Sequence, residues 1–88
     1  MTTEINDTAA IGAQVRAVLT QYGRLSKDVA ALADDDSLSE AGMTSHASVN
    51  VMLALEAEFG EIPDDMLTRS VFHSVASIAR AMKALQGR

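Results

Sequence analysis

Residues 42–64 read GMTSHASVNVMLALEAEFGEIPD. Apolar residues in this stretch return at helical rather than strand spacing, and Gly60 and Pro63 close it. The pattern predicts a helix from Ser45 to about Phe59, ended by Gly60. At 100° per residue, Ser48, Val51, Met52, Leu55 and Phe59 share one side, which is assigned to the core. His46, Val49, Leu53 and Glu56 share the other. An outward Val and Leu beside a His and a Glu read as a contact surface. Scattered apolar surface residues are also ordinary, and spacing does not separate the two readings.

Working outward, Ile11, Val15, Val18, Leu19 and Tyr22 form a second helical stripe. It predicts a helix from about Ala9 to Tyr22, capped by Asp7 or Thr8 and closed by Gly23 in the left-handed conformation usual at helix ends. A third stripe, Val75, Ile78, Ala79, Met82 and Leu85, predicts a last helix, with Ser74 as its N-cap. Lys83 and Arg88 lie near its C-terminus, where the dipole favours cations. The connection 24–44 is long for a compact domain. Leu25, Val29, Leu32, Leu38 and Met43 punctuate it and read as anchors, with room for one helical turn at Val29–Leu32. Asp64–Leu67 can form one further turn. The fold class is all-α: a small four-helix bundle of three main helices plus one short helix, with a long first loop. Residues 9–85 form one domain between a flexible segment 1–8 and a tail 86–88.

Composition agrees. The 88 residues suffice for one domain and leave little room for an internal active site. Hydrophobic residues make up 48% and aromatics 3%, so the core is aliphatic and Met-rich. There is no cysteine, which excludes disulfides, thiolate nucleophiles and thiolate metal sites. No signal peptide or membrane span is read, so the expectation is a cytoplasmic monomer. The net charge of −5 is unevenly spread: residues 31–65 hold nine acids and no Lys or Arg, and residues 66–88 hold four basic residues and no acid. The acidic stretch is a solvated face or a docking surface for basic partners, and it disfavours nucleic acid.

Ser45, taken alone, reads as a helix N-cap. Its setting adds more: a long loop ending in Gly42-Met43-Thr44, a helix N-terminus whose free N–H groups and dipole favour an anion, and an outward apolar patch beyond. Gly42 permits a tight turn that exposes the hydroxyl.

With Gly42-Met43-Thr44-Ser45, Met52-Leu53-Ala54-Leu55-Glu56-Ala57-Glu58-Phe59 and Glu61-Ile62-Pro63-Asp64 in this order, the chain resembles the acyl and peptidyl carrier proteins over about residues 11–85. The resemblance implies a non-enzymatic carrier with phosphopantetheine, drawn from coenzyme A, attached to Ser45 and holding an acyl or aminoacyl thioester. It places Gly42, Thr44 and His46 at the arm, and Met43, Val49, Leu53 and Glu56 at partners. Those partners are a phosphopantetheinyl transferase, an acyl- or amino acid-activating ligase and a downstream acyl-accepting enzyme. Thr44 stands where the common pattern has Asp, and His46, Ser48 and Asn50 where Leu and acids are frequent. The stretch 45–53 is more similar to specialised aminoacyl carrier proteins, which work with stand-alone ligases resembling the catalytic core of seryl-tRNA synthetases.

Other chemistries fit poorly. Asp34 and Asp36 could open a calcium loop, but Leu38 takes the next ligand position and the required Gly is missing. His46 and His73 lack partners for zinc. Ser45 and His46, adjacent on a helix, point about 100° apart and do not make a nucleophile–base pair. The remaining alternative is an acidic helical adaptor that binds partners without being modified.

Overall fold

The computed structural model describes residues 8–86. Helix α1 runs Thr8–Val18 and continues as a π turn, Leu19–Gly23; α2 is Ser45–Phe59 and α3 is Val75–Gln86. Single 3-10 turns stand at Val29–Ala31 and Asp64–Met66, the second being the short fourth helix of the bundle. The described residues are otherwise turn and loop, with no strand. Asp7, offered as a cap, lies outside the described residues, as do most of the expected flexible segment 1–8 and residues 87–88 of the tail. Thr8 itself is helical.

Ile11, Val15, Leu19, Leu38, Val51, Leu55, Ile78 and Met82 have essentially no exposed surface and form one aliphatic core. Burying each such side chain contributes about 1.5–3 kcal/mol, which is what makes helices this short stable. Helix α1 packs chiefly on α3, and the π turn on α2.

The π turn corrects the expected end of the first helix. Its wider winding carries Tyr22 off the stripe, leaving it 43% exposed, and buries Gly23. Gly23 faces Leu19, where a Cβ would meet the Leu19 side chain at 3.3 Å. Arg24, not Gly23, takes the left-handed cap at φ 51°.

The inward face of α2 is also rotated from the expected one, by roughly half a residue step. Ala47, Val51 and Leu55 are buried, whereas Ser48, Met52 and Phe59 are only half-buried at its margin. With Ala47, Val51 and Leu55 as the inward row, Phe59 lies about 80° around the helix from Val51 and so falls at the margin.

The long loop is tied down by more than its apolar anchors. Val29, Leu32 and Leu38 are buried, and Leu25 and Met43 pack partly against the core. Arg16 of α1 reaches across it, donating to the Val29 carbonyl at 2.8 Å and pairing with Asp34 at 2.7 Å. The Leu38 N–H donates to the His73 carbonyl and the Ala76 N–H to the Asp34 carbonyl, each at 2.8 Å, so the loop is laced to the start of α3. There Ser74 caps as expected: its Oγ accepts the Ser77 N–H at 3.1 Å, and Ser77 Oγ returns the bond from the Ser74 N–H at 2.9 Å.

Candidate functional site

The loop delivers the chain to α2 through a wound turn, Ser37–Met43. Ser37 Oγ accepts the Glu40 N–H at 3.2 Å, and the Ala41 N–H donates to the Ser37 carbonyl at 3.0 Å. The Gly42 N–H then bonds the Ser39 carbonyl at 3.1 Å and the Met43 N–H the Leu38 carbonyl at 2.9 Å, the pattern that closes a helix through a left-handed residue. Gly42 holds that place with φ 108°. The Ser26 N–H and hydroxyl both donate to the Ala41 carbonyl at 2.9 Å, so the Ser26 segment crosses directly over the glycine.

Thr44 follows in extended conformation, φ −86° and ψ 166°, and its Oγ1 accepts the Ala47 N–H at 3.1 Å. Thr44 is therefore the N-cap of α2, which corrects the bare reading of Ser45 as the cap. Ser45 is the first helical residue and is exposed. Its hydroxyl makes no hydrogen bond among the described residues. An attached phosphodiester requires an accessible oxygen that no neighbour contests, in surroundings that tolerate an anion. Ser45 meets these conditions, since the helix N-terminus supplies a positive dipole end and free N–H groups.

Beside Ser45 opens a groove of about 530 Å3 between the first half of α2 and segment 67–73. Met43, Val49, Met52, Leu67 and Phe72 give it apolar walls, and Arg69 and His73 line it with several hydroxyls. The groove thus gathers Met43, Thr44, Ser45 and Val49 from the sequence reading. His46 is exposed but does not line it. Val49 and Leu53, 51% and 54% exposed, form the outward apolar patch. Glu56 is half-buried, and its carboxylate accepts the Ile62 N–H at 3.1 Å, holding the loop after α2. Segment 67–73 was missed from sequence because it carries no helical period. Only its return past α2 brings Leu67, Arg69, Phe72 and His73 to Ser45.

The acidic stretch divides by role. Asp36 accepts a backbone N–H of its own loop, and Asp34 pairs with Arg16. Glu40, Glu58, Glu61, Asp64 and Asp65 are exposed. Among the described residues no group of His, Asp and Glu side chains could hold a metal ion. Among the described residues no helix is long and apolar enough to cross a membrane.

A family profile described as "Phosphopantetheine attachment site" matches residues 14–82. An aminoacyl carrier protein of Agrobacterium fabrum is 37% identical over 76 residues, 85% of this chain and 92% of its own length. Among solved structures, a chain in the crystal structure of an engineered Bradyrhizobium japonicum glycine:[carrier protein] ligase, complexed with carrier protein from Agrobacterium tumefaciens and AMP, superposes with a TM-score of 0.78. It is 38% identical, over 82% of this chain and 97% of that one. A solution structure from Agrobacterium tumefaciens gives a TM-score of 0.69 and 36% identity, over 86% and 93% of the two chains. The all-α architecture is thus the carrier-protein fold, and phosphopantetheine is the cofactor that goes with it. The chain belongs to the phosphopantetheine-binding carrier proteins, in their aminoacyl branch, and is a carrier rather than an enzyme.

Proposed function

We propose that Ser45 is the attachment point of the phosphopantetheine arm and that the chain carries an activated amino acid on it. The observation that supports this best is the division of labour at the start of α2. Thr44 does the capping, so the neighbouring hydroxyl is left exposed and unbonded. When attached, the group supplies a terminal thiol on which cargo is held as a thioester.

The residues around Ser45 act by placement. The Gly42 turn and the Thr44 cap fix where the hydroxyl stands; a phosphopantetheinyl transferase approaching from solvent removes its proton as the Oγ–P bond forms and the pyrophosphate P–O bond of coenzyme A breaks, releasing adenosine 3′,5′-bisphosphate. Val49 and Leu53 offer an apolar footing for partners, and Glu58, Glu61, Asp64 and Asp65 a surrounding negative field that steers basic surfaces toward it. The loading partner is an amino acid-activating ligase, a reading supported by the ligase complex in which the similar chain stands. A downstream enzyme then accepts the cargo. The chain works as a cytoplasmic monomer on this reading.

The test loads the phosphopantetheinylated protein with an amino acid:[carrier protein] ligase, ATP and single amino acids. The reading expects a mass gain for one or a few small amino acids, removable by hydroxylamine as a thioester is. Loading by a fatty acyl ligase alone would replace the aminoacyl reading with a fatty-acid one.

A further inference from the structure

We infer that Arg69 and His73 form an anion-binding edge that receives the phosphodiester of the arm on Ser45; the inference rests on the attachment reading above. The groove beside Ser45 is lined by one arginine, one histidine and no Asp or Glu, although the chain has 12 acids and a net charge of −5. The Arg69 guanidinium makes no ion pair or hydrogen bond among the described residues. His73 is pinned through its backbone, whose carbonyl accepts the Leu38 N–H at 2.8 Å, and its side chain remains exposed.

Arg69 and His73 also border a second hollow, which holds Arg80 and Asp35. Asp35 is the one acid in that lining, and it forms no ion pair with Arg69 or His73 within 4 Å. An arginine offers a planar fork of donors suited to phosphate oxygens, which a solvated carboxylate elsewhere on the surface does not satisfy. A phosphodiester on Ser45 would carry a fixed negative charge into the groove these residues share. Thr44 adds no charge beside it, in the position where an Asp would repel it. The edge thus restrains the root of the arm from the side opposite α2, while the apolar walls remain for the rest of the arm.

The test compares apo and phosphopantetheinylated protein by NMR, after intact mass has established modification at Ser45. Amide signals of residues 68–73 and the Arg69 Nε–Hε signal should shift on modification, and the shifts should shrink as salt is raised. In Arg69→Gln/His73→Gln, two exposed changes that leave the fold intact, the 31P resonance should move relative to wild type and the shifts at 68–73 should fall away. Lys27→Gln, which removes an exposed positive charge outside the groove, should leave the 31P resonance in place. Shifts confined to residues 43–48, or a 31P signal identical in wild type and the double variant, would overturn the anion edge while leaving the attachment reading intact. Failure of Ser45 to be modified would remove both.

Discussion

Gly42 lies so close beneath Ser26 that a Cβ on it would stand 2.9 Å from the Ser26 backbone nitrogen and 2.9 Å from its hydroxyl oxygen. The glycine is therefore required twice, by its positive φ and by the segment crossing it. Gly42→Ala should cost about 1–3 kcal/mol for the backbone conformation, and more for the clash, since the nearest atom is main chain. Urea melts measure the loss. Phosphopantetheinylation should slow as well, because the same turn sets the position of Ser45. Gly60→Ala is the control: its φ is 100° but nothing lies within 4 Å, so only the backbone cost applies.

Thr44→Ala should cost about 1 kcal/mol, the usual effect of losing an N-cap oxygen. Thr44→Asp should restore most of that stability, because Asp caps as well as Thr. Melts of the pair separate the cap from the identity of the residue. Equal stability of wild type and Thr44→Ala would show that Thr44 is not the cap.

Leu55→Ala should cost about 2–5 kcal/mol, as expected for emptying a fully buried leucine site. Phe59→Ala should cost less despite its larger side chain, because Phe59 is only half-buried. Val49→Ala should fall within about 0.5 kcal/mol of wild type. Thermal or urea melts rank the three. A loss at Phe59 exceeding that at Leu55 would restore the inward face read from periodicity.

For docking, Leu53→Asp should slow loading at every salt concentration, because it removes apolar contact. Glu58→Lys with Glu61→Lys should slow loading most at low salt, where charge steering acts furthest. Glu56 is unsuited to this test. Replacing it by Lys breaks the bond to the Ile62 N–H, and should lower stability by about 1–2 kcal/mol before any partner is involved. Loading rates over a salt series, with circular dichroism as the folding control, decide the matter.

Much of this was legible in the sequence. The bounds of α2, the buried anchors Val29, Leu32 and Leu38, and the Ser74 cap all follow from apolar spacing and local capping chemistry. What sequence could not supply depended on tertiary contact. The π turn that turns out Tyr22 arises where the end of α1 meets α2. The roles of Arg16 and Glu56 are bonds to backbone groups 13 and 6 residues away, which no periodicity marks. The choice between Thr44 and Ser45 as cap turns on the Thr44 dihedrals. The groove exists only because segment 67–73 returns past the start of α2.

The central claim is that Ser45 carries the arm. Intact mass after incubation with a broad-specificity phosphopantetheinyl transferase and coenzyme A tests it most directly. Wild type should gain one phosphopantetheine, and Ser45→Ala none while keeping its melting curve. A gain on Ser45→Ala, or no gain on folded wild type with several transferases, would contradict it.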